Sequence, residues 1–203
     1  MRHRSVLVLF ALLSIVPTLA HAQDFGIMES AETIDRGNFK IRANPMIIFG
    51  KNGEARRFGA AVVVGYGFTD RFDAEGGVAF YKEVTFFGGN AEFWLVKRQA
   101  IDFSIAAGLH GRRGARTLNE TGVDLTFLPS KHVNDRLDIY AGLDLAFESR
   151  PEKFGGGNVK TVHLVPGIEY KLNPDLDLVA EFGIALNDTA RHYLSVGVAY
   201  YFR

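Results

Sequence analysis

The chain has 203 residues, with 23 basic and 23 acidic side chains, so it carries no formal net charge and offers nucleic acid no electrostatic attraction. It has no Cys, which excludes a disulfide framework and a lipid-anchored N-terminus. Gly (22 residues) and aromatics (12%) are abundant. With no long apolar run beyond the first twenty-odd residues and no amphipathic helical pattern, that composition points to strands joined by turns.

Met1 to Ala22 reads as a cleavable secretory signal peptide: Arg2 and Arg4 open it, Val6 to Leu19 is apolar, and Ala20-His21-Ala22 is a small-residue cleavage site. The apolar run falls short of the ~20 residues needed to span a bilayer as a helix. Residues 23–37 lack alternation and carry Asp24, Glu29, Glu32, Asp35 and Arg36. They read as a lead outside the main domain, the simpler account, or as an internal plug.

From residue 38 the pattern predicts about ten strands: 38–49, 57–68, 72–82, 86–96, 100–110, 120–128, 137–148, 160–170, 176–186 and 191–202, with eight as the main alternative count. Each is near the ~9–11 residues a tilted strand needs to cross the hydrocarbon layer. In the first, Phe39, Ile41, Ala43 and Ile47 oppose Lys40, Arg42 and Asn44; in the seventh, Leu137, Ile139, Leu143 and Phe147 oppose Asp138, Asp144 and Glu148. Pro45 and Pro166 fall inside predicted strands, where each forfeits a ladder donor and predicts a bulge or register break. Turns are predicted at Thr69 to Arg71, Val96 to Gln99, Pro129 to Arg136 and Lys171 to Asp175 at one end. The other end takes Gly50 to Arg56, Glu83 to Thr85, Gly111 to Asn119, Ser149 to Val159 and Asn187 to Ala190.

The last strand alternates most strictly, with Leu194, Val196, Val198, Tyr200 and Phe202 on one face and Ser195, Gly197 and Ala199 on the other. Ser195, Gly197, Tyr200 and Phe202 resemble the C-terminal assembly signal of small Gram-negative outer-membrane β-barrel proteins; Arg203, following the terminal aromatic, is one departure from that pattern. The resemblance implies an all-β, antiparallel transmembrane barrel over residues 38–203. It also implies delivery to the outer-membrane insertion machinery and a surround of outer-membrane lipid and lipopolysaccharide. A soluble lipocalin-like barrel would also alternate, but with its apolar face inward around a ligand.

Every strand rising from the turns expected on the periplasmic side begins apolar, charged, apolar. Asp73, Asp102, Asp138 and Asp177 thereby form an inward acidic ring, joined by Lys40. Glu75, Glu92, Asp124, Asp144, Glu169 and Glu181 add inward acids against the lumen bases Lys40, Arg42 and Arg57. Such a lumen is either a closed polar core or a narrow water-filled path favouring cations, because carboxylate rings attract them. Inward glycines, Gly65, Gly67, Gly77, Gly108, Gly142 and Gly183, leave room for the second.

Arg112, Arg113 and Arg116 form a basic cluster assigned to an outer loop, suited to lipopolysaccharide phosphates because Arg offers a fork of donors. All the outer loops are short, so no large protein partner is indicated. An enzyme is not expected. His192 and Ser195 invite comparison with outer-membrane lipid A deacylases, but three residues apart on a strand they point to opposite faces. His110 and His163 face inward singly, without metal-ligand spacing, and neither metal nor cofactor is expected.

Overall fold

The structure is a computed structural model that describes residues 26–51, 53–82, 84–97, 100–114, 120–150 and 157–203. The expected signal peptide, Arg116 and parts of five predicted turns or loops lie outside the described residues. Ten strands are present: β1 (Phe39–Ile48), β2 (Arg57–Thr69), β3 (Phe72–Tyr81), β4 (Val84–Val96), β5 (Asp102–Gly114), β6 (Glu120–Asn134), β7 (Leu137–Arg150), β8 (Gly157–Asn173), β9 (Leu176–Ala185) and β10 (Tyr193–Phe202). Each pairs antiparallel with its sequence neighbours, and β1 pairs with β10, closing the sheet so that no edge remains. The fold is a ten-stranded transmembrane β-barrel, and the count of ten replaces the alternative of eight.

Alternation decides which face meets lipid. In β1, Lys40, Arg42, Asn44 and Met46 are buried inward while Phe39 and Ile41 are exposed outward. Around the barrel Phe58, Phe80, Phe93, Ile101 and Leu186 are each more than half exposed, whereas the inward acids are nearly inaccessible. That is the inverse of a soluble ligand-binding barrel, which removes the lipocalin-like alternative. An aromatic girdle runs along the outer face near the termini: Phe39 contacts Tyr66, Tyr66 contacts Phe68, and Phe68 and Phe93 flank Phe72, with centroid separations of 4.5 to 5.5 Å. Tyr200 and Phe202 pack edge to face on the adjoining β10, Phe202 being the ladder partner of Phe39. Such girdles mark the membrane interface.

Several boundaries differ from expectation. β6 runs through Pro129 to Asn134, β8 from Gly157 to Asn173, and β5 on to Gly114, so most of the predicted loop at Pro129 to Arg136 is ladder. Neither Pro45 nor Pro166 breaks register: pairing resumes in step on both sides, as with Ala43 opposite Val198 and Met46 opposite Ser195. The irregularities sit instead at the turn end of every even strand except the last, where Phe68, Leu95, Val133 and Leu172 are each the extra residue of a bulge. Three of these lead into one repeated turn. Thr69 Oγ1, Asn134 Oδ1 and Asn173 Oδ1 accept from the backbone N–H two residues on, at 3.2, 2.9 and 2.9 Å. This side-chain mimic of a turn pre-forms the hairpin. The carbonyls of Arg71, Arg136 and Asp175 then accept from Trp94, Lys171 and Tyr201 of the next strand along, tying each turn to its neighbour.

Candidate functional site: a plugged lumen

Residues 26–36 do not lie outside the barrel. Met28, Ser30, Ala31 and Ile34 are buried in the lumen, and Arg36 forms a parallel bridge to Gly67 of β2. The segment is irregular, with Gly26 and Met28 at φ of 70° and 56°, so its N–H groups have no ladder of their own. The barrel wall supplies the acceptors. Glu181 on β9 accepts from Ile27 N at 3.1 Å and Met28 N at 2.7 Å; Glu169 on β8 accepts from Ser30 N at 2.9 Å; Asp73 on β3 accepts from Ile34 N at 2.7 Å. Ser130 Oγ on β6 accepts from Ala31 N at 3.0 Å.

Wall cations hold the same segment from the other side. Lys40 Nζ lies 2.5 Å from both Glu29 and Glu75, and Arg42 donates to the carbonyls of Ile27 (2.8 Å) and Met28 (3.2 Å). Buried backbone groups need partners, and buried charges need opposite charge. Asp73, Glu169 and Glu181 and the plug satisfy each other.

Glycines make the space. A Cβ at Gly142 would fall 2.1 Å from Ile27 Cδ1, one at Gly67 2.2 Å from the Asp35 carbonyl, and one at Gly197 2.7 Å from Met28 Cε. Gly197 of the terminal motif therefore faces the plug, Ser195 donates to the Pro45 carbonyl at 3.1 Å, and Tyr200 and Phe202 face outward in the girdle. Toward the loop end, Met46, Ile48, Val165 and Tyr193 form one apolar cluster and Ala61, Ala79 and Phe86 another, with Tyr81 packed against both. Between plug and clusters a cavity of about 70 Å³ remains, bordered by Gly77, Gly88, Gly108, His110, Asp124 and Asp144.

The ring residues Asp73, Asp102, Asp138 and Asp177 are all buried and inward near the turn end. Their environments differ. Asp73 holds the plug, Asp102 and Asp138 meet His132, and Asp177 is the ladder partner of Lys171. Arg57 is exposed at the loop-side mouth, because β2 extends beyond the packed lumen there; of the three predicted lumen bases only Lys40 and Arg42 are enclosed. The predicted arginine cluster is split by the longer β5. Arg112 points inward, 2.6 Å from Glu120 and over the Phe86 ring, while Arg113 is exposed on the opposite face.

His192 and Ser195 do not meet. His192 Nδ1 accepts from Ala185 N at 3.1 Å on the outer side, and Ser195 is buried inward. His110 bonds to Asp124, and His163 Nε2 lies 2.8 Å from the Arg191 carbonyl. One group had no counterpart in the sequence reading: Glu32 of the plug, His132 of β6 and Asp138 of β7 bring ligand-type atoms within 4.8 Å of one another. Those residues lie far apart in the chain, and His132 fell in a predicted loop.

By sequence, no family model and no curated protein matches the chain. By structure, it is similar to an outer membrane channel from Pseudomonas putida F1, with a TM-score of 0.59 at 8% identity over 85% of this chain and 98% of that one. It is also similar to a bacterial polysaccharide outer membrane secretin, with a TM-score of 0.51 at 10% identity over 83% of this chain and 66% of that one. A KdgM porin aligns with a TM-score of 0.47 at 13% identity over 81% of this chain and 99% of that one. At these identities the likeness is one of fold.

Proposed function

We propose that the chain is a non-enzymatic integral outer-membrane barrel, exported through a cleavable signal, whose own N-terminal segment closes a narrow cation-preferring path for small solutes. One observation carries this reading: the plug is docked chiefly through hydrogen bonds to wall carboxylates. Withdrawing it would uncover Asp73, Glu169 and Glu181 in a lumen with few enclosed cations. Carboxylate rings of this kind favour cations. The turn end would face the periplasm, and Arg113 with other rim cations would meet lipopolysaccharide phosphates. Tyr200 and Phe202 would be read by the insertion machinery during assembly.

A second reading, a permanently closed structural barrel, is favoured by the apolar clusters around Tyr81, which plug movement alone would not part. Single-channel recording of the mature protein in planar bilayers separates the two. Rare cation-selective openings that become frequent in Glu181→Gln, and less selective in Asp73→Asn, support the gated path. Silence from every variant, each shown to be folded in the bilayer, leaves the structural barrel.

A further inference from the structure

At the turn-side mouth a single imidazole stands between the plug and the wall. His132 is the ladder partner of Asp138 in the β6–β7 pair, just before the bulge at Val133. Its Nδ1 is hydrogen-bonded to Asp138 Oδ1. Its other nitrogen, Nε2, lies 3.1 Å from Glu32 Oε1 of the plug and 3.2 Å from Asp102 Oδ2 of β5. A cation faces the group from β8: Lys171 Nζ is 2.9 Å from Glu32 Oε2 and 3.1 Å from Asp138 Oδ2. Asp102 and Asp138 are buried, whereas the His132 side chain is 38% exposed, which leaves the ring open to solvent protons at the mouth.

A neutral imidazole carries one N–H and one lone pair. If the N–H points to Asp138, the Nε2 lone pair faces Glu32 and Asp102; if it points to Glu32, the Nδ1 lone pair faces Asp138. Either way one acceptor meets an ionised acceptor, and the contact is repulsive. One added proton removes the conflict, whether it sits on the ring or is shared with a carboxylate. With it, the three carboxylates, Lys171 and the imidazolium sum to −1 (−3 + 1 + 1); without it, they sum to −2 (−3 + 1). Of the contacts that depend on this proton, those to Asp102 and Asp138 join wall to wall. The contact to Glu32 joins plug to wall.

We propose that this proton is a latch: held between His132 and Glu32 it fastens the plug to β6, and its loss as the pH rises loosens the plug at its turn end. The sign follows from the bonds. The Glu32 contact is attractive while the proton is bound and is lost when it leaves. Docking is therefore strongest at acid pH and weakens through the imidazole titration, which for an ordinary ring lies near neutrality. Lys171 keeps its contact with Glu32 throughout, so the latch tunes the docking rather than supplying all of it. Any effect on conduction rests on the proposed path; the latch itself does not.

The test uses the mature full-length protein refolded in detergent micelles. Hydrogen exchange is followed at the Ala31 and Ile34 amides, which lie on either side of Glu32 and bond to Ser130 and Asp73. Each rate is divided by the intrinsic rate at the same pH, from about pH 5 to about pH 9. Expected is a protection that falls roughly tenfold as the pH rises, the scale of one partly exposed charged contact. His132→Gln, which cannot titrate, should flatten that fall, and Glu32→Gln, which leaves the wall intact, should flatten it too. Wall carboxylates such as Asp73 are common to every variant, so the difference between wild type and His132→Gln isolates the ring. Level protection in the wild type, or an equal fall in His132→Gln, overturns the latch. A fall that persists in Glu32→Gln places the effect within the wall and overturns it as well. A fall that needs both residues, in a barrel that never conducts, upholds the latch while removing the proposed path.

Discussion

Glu181→Gln isolates the plug from the barrel. The Glu181 carboxylate is buried and takes three donors: Ile27 N on Oε1 at 3.1 Å, and Met28 N at 2.7 Å and the Tyr140 hydroxyl at 3.0 Å on Oε2. Gln has one acceptor oxygen. If that oxygen takes the place of Oε2, its amide N–H₂ faces the N–H of Ile27, donor against donor, and one bond is lost. A bond to a charged acceptor contributes roughly 1.5–3 kcal/mol, and the plug bond that survives, from Met28 N, falls to the ordinary ~1 kcal/mol, while the Tyr140 bond joins wall to wall and does not bear on docking. The summed loss, about 3 kcal/mol, lowers the docked-to-free ratio of the plug roughly a hundredfold. No barrel ladder bond involves that side chain, so the urea midpoint in lipid vesicles should move little. Hydrogen exchange across residues 27–34 in micelles is the readout, with acceleration confined to that segment. Unchanged exchange there, or a barrel that melts as one unit with its plug, would refute the account of docking.

Three other outcomes follow from the same geometry. Gly142→Val places atoms where Ile27 Cδ1 sits, a 2.1 Å approach, so the barrel should fold with its plug expelled and open to added protease. Leu143→Arg puts a cation on the lipid face at a cost of ~2–4 kcal/mol near the midplane. Its neighbour Asp144→Asn keeps an acceptor for the Thr126 hydroxyl and should be tolerated; urea unfolding in vesicles compares the two. Phe202→Asp removes an outward aromatic of the terminal girdle and should leave secreted protein in the periplasm, which fractionation would show.

Strand number and facing were legible because each strand meets two unlike media, so period two runs nearly unbroken from Lys40 to Phe202. Strand ends were not. The bulges at Phe68, Leu95, Val133 and Leu172 insert an exposed apolar residue just before the turn, breaking alternation where the strand continues. A local signal did exist in the recurring Thr69-Asp70-Arg71, Asn134-Asp135-Arg136 and Asn173-Pro174-Asp175, each followed by an apolar residue and an inward Asp. The ring residues were placed by that repeat, but their partners were not. His132 was hidden in a supposed loop, and Glu32 sits in a segment with no period at all.

The plug was illegible for a different reason, and it recasts the acids it rests on. Side-chain pattern cannot reveal a segment bound through its backbone N–H groups. Its trace in the sequence was a lumen with more carboxylates than bases, together with inward glycines at 65, 67, 142 and 197. A plug seated on an apolar wall would leave a hydrophobic tube on withdrawal, and water entering it would gain no hydrogen bonds. Seated on Asp73, Glu169 and Glu181, the plug exchanges each bond for one to water, and the net difference per bond is small compared with its strength in an apolar medium. Ordering an irregular backbone costs ~1–2 kcal/mol per residue. Docking of this kind is therefore finely balanced, and one buried contact such as Lys40 with Glu29 is enough to decide on which side of that balance the lumen rests.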